Sequence, residues 1–265
     1  MRIHKITIIG GCGRNGVKEP LTQLDLQMGQ VVSIVGPTGS GKTALINDIG
    51  LFADGSTPTQ RRILINDAPP LPEFMADPSK NPIALITQHT SFLSDMPVDT
   101  FLGLHAKIRK VGESKTIVTE TLDFANQLTG EAINVKSAMT ELSGGQSRAL
   151  LIADAVVIGN SPIILLDEIE NAGIDRSRAL ALLHKYEKIF VFVTHDLHIA
   201  LLSDFRIILK NGAMQNIVKT TNGEKRIAEN LKRFDDVLIN FRNRIRMGEQ
   251  LDEKEVQACL SAIEY

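Results

Sequence analysis

The stretch "VVSIVGPTGSGKTALINDIG", residues 31–50, decides the reading of this chain. Val31 to Val35 form an apolar strand, glycines follow, and a helix begins near Lys42. Residues 36–43, "GPTGSGKT", satisfy G-x-x-x-x-G-K-[ST] at every fixed position. Each position has a chemical reason. Gly36, Gly39 and Gly41, with Pro37, Thr38 and Ser40 between them, let backbone N–H groups turn inward and cradle phosphate oxygens. Lys42 brings a compact positive charge to the β- and γ-phosphates, and the Thr43 hydroxyl suits Mg²⁺. A plain strand-to-helix turn would need none of these choices. The stretch reads as a nucleoside triphosphate site.

Such a site needs a carboxylate at the end of a neighbouring buried strand to hold the metal. "SPIILLDEIE" supplies it: Ile163 to Leu166 are continuously apolar, as buried parallel strands are, and Asp167 and Glu168 follow. Adjacent strand residues point to opposite faces, so the two acids are inequivalent unless the chain bends there. Asp167 is then expected on the metal and Glu168 on a water. Upstream, "ELSGGQSRALLIADAVVIG" places Ser143 as the N-cap of a helix, with Gly144, Gly145 and Gln146 in its first turn. A helix start is an anion site. Because residues 36–43 already form one, a second suggests ATP shared between two chains.

The opening "ITIIGGCGRNG", residues 6–16, carries G-x-G-x-x-G at Gly11, Gly13 and Gly16, the spacing of a dinucleotide-binding turn. That turn must run into a helix, whereas here Pro20 breaks any helix starting at Asn15. Residues 21–28 instead alternate with period 2, and the acidic residue expected about 20 positions on is missing. The dinucleotide reading fails.

The remaining composition bounds the class. A chain of 265 residues suffices for one large α/β domain, and its net charge of −2 offers no basic excess for a polyanion. Apolar runs such as "IFVFV" fall well short of the roughly 18 residues needed to cross a bilayer, and no signal peptide is visible. Cys12 and Cys259 read as reduced thiols in a cytosolic protein.

Over roughly residues 1–217 the sequence resembles the ATP-binding cassette (ABC) ATPases. "GPTGSGKT" resembles the Walker A loop, "ITQHTSFL" places Gln88 at the Q-loop, and "LSGGQ" matches the signature. "IILLDE" resembles Walker B, "ENAGID" puts Asp175 in the D-loop, and "VFVTHD" puts His195 at the switch histidine, all in the family's order. The resemblance implies an α/β P-loop NTPase fold with a mixed, largely parallel β core and an inserted helical subdomain. It also implies a head-to-tail homodimer, or a pairing with a homologous cassette, closing over two ATP–Mg²⁺. In that arrangement Ser143 and Gly145, with their neighbours Gly144 and Gln146, reach the γ-phosphate held by Gly39, Gly41, Lys42 and Thr43 of the other subunit. Gln88 touches the metal or attacking water, Asp167 holds the metal, Glu168 is the general base, and His195 holds the γ-phosphate.

Cassettes usually stack an aromatic on adenine about 25 residues before the Walker A lysine. Counting back from Lys42 lands near Gly16, in "GGCGRNGVKEP", which has no aromatic. Arg14 is the candidate replacement, its guanidinium stacking on the base, with a solvent-facing loop as the alternative. Two further departures separate the chain from ordinary transporter cassettes: Ile169 stands where proline usually follows Walker B, and Asp154 where arginine is frequent.

The expected organisation is an ABC ATPase domain over 1–221, a helical subdomain at about 92–157, and a C-terminal helical extension over 222–265. Residues 92–141 look helical, with Gly112 and Gly130 as stops. Ile227, Leu231, Phe234, Leu238, Phe241 and Ile245 form an apolar seam on one long helix ending at Gly248, and Val256, Leu260 and Ile263 continue a shorter one. The pair reads either as a hairpin docked on its own domain or as a dimerisation or partner-docking element. Two functions remain open. One is the cytosolic ATPase subunit, held at the inner face of the membrane, of a transporter whose channel is a separate membrane-spanning chain. The other is a soluble ABC ATPase that remodels a protein, metalloenzyme or nucleic-acid partner, although the basic residues near the C-terminus alternate with acids and do not favour nucleic acid.

Overall fold

The computed structural model describes residues 2–87, 89–109, 114–129, 131–167, 176–254 and 256–257. The chain divides at Lys219/Thr220 into two compact units.

The first unit is built on a six-stranded sheet. Its strands are β3 (Val31–Val35), β5 (Ile83–Ile86), β6 (Ile163–Asp167), β7 (Ile189–Val193), β8 (Phe205–Lys210) and β9 (Ala213–Lys219), in the order β5-β6-β7-β3-β8-β9. All neighbours are parallel except the β8–β9 hairpin. Both faces are covered, which explains the unbroken apolar runs. Ile163 and Leu165 join one core, while Ile164 and Leu166, pointing the other way, join the second.

One core is shared with a separate three-stranded antiparallel sheet, β2-β1-β4, formed by β1 (Lys5–Ile9), β2 (Gln23–Gln27) and β4 (Arg62–Ile65). The alternation read in residues 21–28 is real: Leu24 and Leu26 are buried while Gln23 and Gln27 are exposed. Helix α1 (Lys42–Gly50) contributes Leu45, Ile46 and Ile49 to the same core as Ile6, Ile8, Leu26, Ile34 and Val193. Each such side chain, fully withdrawn from water, is worth about 1.5–3 kcal/mol. A five-residue helix, α2 (Pro72–Ala76), lies between β4 and β5 in sequence.

The opposite core packs α3 (Val98–Arg109), α4 (Ser114–Leu128), α5 (Gly144–Val156), α6 (Arg176–Leu183) and α7 (Leu197–Leu202). Among the described residues, helix between 92 and 141 is confined to α3, α4 and a short 3-10 turn at Met139–Glu141. Residues 92–97 and 131–138 form no helix, correcting the helical reading of those segments. Pro97 disfavours helix in the residue before it. The backbone there pairs across instead, Val98 donating to Ser137, Asp99 to Val135, and Met139 to Met96. Gly112 and Gly130 lie outside the described residues.

In the second unit, α8 (Asn222–Arg246) is one 25-residue helix. Thr221 caps it: its Oγ1 accepts from Glu224 N–H at 3.2 Å, and the Glu224 carboxylate accepts from Thr221 N–H at 3.0 Å. Gly248, in the left-handed region (φ 82°), follows its end. The seam remains largely open, with Ile227, Phe234, Leu238 and Ile245 between 43% and 58% exposed. Leu260 and Ile263 lie outside the described residues. No described helix is long and apolar enough to cross a membrane.

Candidate nucleotide site

Strand order assembles the site. In the central parallel trio β6-β7-β3, Asp167 is in register with Val193, and Val193 with Ile34. The loop of residues 36–43 leaves the end of β3, His195 follows β7 by two residues, and Asp167 ends β6. Adjacent strands lie about 4.8 Å apart, so three segments distant in sequence emerge side by side at one sheet edge. This is the crevice at the carboxyl ends of parallel strands where α/β sheets take ligands.

The loop has the shape the sequence demands. Gly41, at the N-cap of α1, has φ 98°, and a Cβ there would stand 2.9 Å from the Gly212 Cα, so only glycine fits. Lys42 is buried and its Nζ donates to the Gly36 and Pro37 carbonyls at 2.9 and 3.2 Å, bridging the loop's own start. The Ser40 hydroxyl is buried with no hydrogen-bond partner among the described residues. A buried hydroxyl is rarely left so, and a phosphate oxygen is the acceptor this loop is shaped to supply. Thr38, Gly39 and Thr43 are exposed. Thr43 and Asp167 offer the hard oxygen donors that suit Mg²⁺, which would share its remaining coordination with phosphate and water.

The glycine-rich opening has a structural purpose. Residues 10–22 fold back as a narrow loop, with a bridge between Cys12 and Lys18 and a turn at Arg14–Gly16. A side chain on Gly11 would collide with the Thr59 carbonyl. At the turn, Arg14 N–H donates to Asn211 O at 2.8 Å, and the Arg14 Nη2 lies 3.8 Å from where a Cβ on Gly39 would stand. Arg14 therefore sits over the phosphate loop.

Ser143 caps α5 as its sequence predicts. Its Oγ accepts from Gln146 N–H at 3.2 Å, and the Gln146 side-chain oxygen accepts from Ser143 N–H at 3.0 Å. Nothing stands within 4 Å of where a Gly144 Cβ would be, so the helix start is open on that side.

Residues 21–171, which contain the phosphate loop, this helix and β6, match the family model described as "ABC transporter". The chain belongs to the ABC transporter ATP-binding family. It is 47% identical over 256 residues, 97% of this chain and 98% of the other, to an uncharacterized ABC transporter ATP-binding protein of Methanocaldococcus jannaschii. It is 33% identical over 82% of its length, and 65% of the other's, to the spermidine/putrescine import ATP-binding protein PotA of Bacillus cereus. Among solved structures, a dimeric ATP-binding cassette bound to ADP and Pi superposes with a TM-score of 0.62 at 23% identity, covering 82% of this chain and 99% of that one. A bacterial Atm1-family ABC exporter with ATP bound gives 0.60 at 21%, covering 83% and 39%. At those identities the structures establish the fold.

The nucleotide of this ABC cassette is ATP. Gln88, Glu168, Ile169 and Asp175 lie outside the described residues, whereas the loop of 36–43, Asp167 and His195 are brought to one edge. The sequence reading missed what fastens the site. Arg61, fully buried, bonds Glu19 at 2.6 Å and Asp48 of α1 at 2.9 Å, and donates to the Gly212 carbonyl at 2.7 Å. Glu19 in turn accepts from Gly11 N–H at 2.9 Å and Met214 N–H at 2.6 Å. Burial alone would make the guanidinium less basic; the two carboxylates outweigh it and raise its pKa. One buried cation thus joins the Arg14 loop, the helix behind the phosphate loop, and the β8–β9 turn. The only hint in sequence is a charged pair, Arg61–Arg62, directly before an apolar strand.

Proposed function

We propose that this ABC protein hydrolyses ATP as the cytosolic subunit that energises a membrane transporter, closing head-to-tail on a second cassette. The register placing Asp167, His195 and the phosphate loop at one sheet edge carries the hydrolytic part. The names of its relatives, one of them an import ATP-binding protein, favour transport; the cargo belongs to other chains.

Phosphoryl transfer requires mostly positioning and charge neutralisation. Lys42 swings from the loop carbonyls to the β- and γ-phosphates, and the N–H groups of residues 39–43 bind the rest. Thr43, Asp167 and Gln88 would hold Mg²⁺, which would supply charge neutralisation at the phosphates. Arg14, already over Gly39, contacts the nucleotide and stacks on adenine. Glu168 takes the proton of the attacking water, and His195 steadies the γ-phosphate. Ser143, Gly144, Gly145 and Gln146 of the facing subunit offer the open start of α5 to the same phosphate, with Asp175 at the seam. Closure excludes water and strengthens each of these contacts.

A trap in the native cell tests the reading. A Glu168→Gln chain held with ATP–Mg²⁺ should bring down an integral membrane protein in stoichiometric amount. A soluble partner, with the chain absent from membranes, would overturn the transport assignment.

A further inference from the structure

At the opposite, amino-terminal ends of the parallel strands lies an open cavity of about 730 Å³. One strand length, roughly 16 Å, separates it from the nucleotide edge. Its walls carry Arg2, Lys80, Arg109 and Lys188 against Glu73 and Glu187, an excess of two positive charges in a chain whose net charge is −2. Lys80 is paired with Glu73 at 2.7 Å. Among the described residues, Arg2, Arg109 and Lys188 have no such ion pair.

Lys188 is the anomaly. It is 6% exposed, yet among the described residues its ammonium meets only neutral oxygens, Asn160 Oδ1 at 2.7 Å and Ser161 O at 3.1 Å. An ammonium has three donors, so one is left for the cavity. Buried charges are ordinarily paired, because desolvation is otherwise uncompensated. Burial without a counter-charge pushes the Lys188 pKa down to about 8. Arg109 is the second cation, with no carboxylate at ion-pair distance among the described residues, although the Asp77 carboxylate is close enough to feel its charge. Its Nη1 donates to Ser79 O at 2.7 Å, and its Nε donates to His105 Nε2 at 3.3 Å. His105 therefore holds its proton on Nδ1, 2.7 Å from Asp154 of α5. Asp154 anchors the histidine through this chain rather than balancing the guanidinium directly. Guanidinium fork and ammonium point charge are the pair that phosphate recognition uses.

We propose that this cavity is a second anion site, for a small phosphorylated compound carrying at least two negative charges, with Lys188 and Arg109 as its principal contacts. The site touches the carboxyl-terminal end of the signature helix from two sides. Lys188 holds the Asn160–Ser161 turn that follows α5, and Arg109 reaches α5 through His105 and Asp154, the position where this chain departs from the family's usual arginine. An occupant would be felt by the element that meets ATP across the dimer.

Pyrophosphate is the probe. Titrated calorimetrically into the full chain saturated with a non-hydrolysable ATP analogue and Mg²⁺, which blocks the first site, it should bind at one equivalent per chain. Lys188→Gln and, separately, the partly exposed Arg109→Gln should each weaken binding at least tenfold while leaving analogue affinity unchanged. In a reductively methylated chain, the Lys188 resonance should show its pKa rising on addition of pyrophosphate, since a neighbouring anion favours the charged form. No binding to the analogue-saturated chain, or binding unchanged in both variants, overturns the site. Equal affinity for tricarballylate, which offers carboxylates alone, overturns its assignment to phosphate.

Discussion

At the scale of single residues, chemistry and placement separate cleanly. A general base acts on the attacking water, not on ATP binding. Glu168→Gln should therefore leave ATP affinity within about twofold while lowering kcat by about 100-fold or more. Equilibrium binding and phosphate release, measured on the same preparation, check both halves. Arg14→Ala should weaken ATP binding several-fold, read by fluorescent-nucleotide displacement; unchanged affinity would return the loop to a purely structural role. The positions of Lys42 at the start of α1 and Asp167 at the end of β6 were legible because phosphate chemistry restricts residue type and spacing together, whereas His195 was singled out only through the family resemblance. Arg61 was not legible, since its three anchors lie at positions 19, 48 and 212 and no local pattern joins them.

At the scale of elements, β3, β6, β7 and α5 were readable because each bears its own signature: unbroken apolar runs for strands covered on both faces, and a capping residue before the helix. The stretch from 92 to 97 was misread because its end is tied across the chain, Met96 O accepting from Met139 N–H and Pro97 bridging Ala138, some forty positions away. The Arg61 cluster is likewise a link between elements. Removing one partner of a buried charge network leaves the others uncompensated. Arg61→Ala should cost about 3–5 kcal/mol in urea unfolding. Replacing Arg61, Glu19 and Asp48 together by neutral side chains of similar volume should recover much of that loss, whereas an additive loss would show that the network stabilises beyond its own desolvation cost.

At the scale of the molecule, the buried ammonium of Lys188 makes stability depend on alkaline pH. Its unfolded pKa is the ordinary 10.5 and its folded pKa about 8. Below pH 8 both states carry the proton and the folded state bears the full burial penalty. Between about pH 8 and 10.5 the unfolded state binds more protons, so stability rises with pH. Arg2, Lys80 and Arg109 across the cavity act in the same direction as burial, and Glu73 and Glu187 against it. Chemical denaturation at pH 7.5 and 9.5 should show this gain in the wild type and a smaller one in Lys188→Met. The β8–β9 turn has its own bearing on how the protein is handled. An Asn-Gly tip such as Asn211–Gly212 is normally where a chain best accepts foreign sequence. Here Gly212 donates to Ser40 O at 2.8 Å, gives its carbonyl to Arg61, and lies against Gly41. An epitope tag or fluorophore spliced at this tip would displace the floor of the phosphate loop, so the hairpin that looks most permissive is the one to leave untouched, and the exposed turn at Asp67–Ala68 is the better place to graft a reporter.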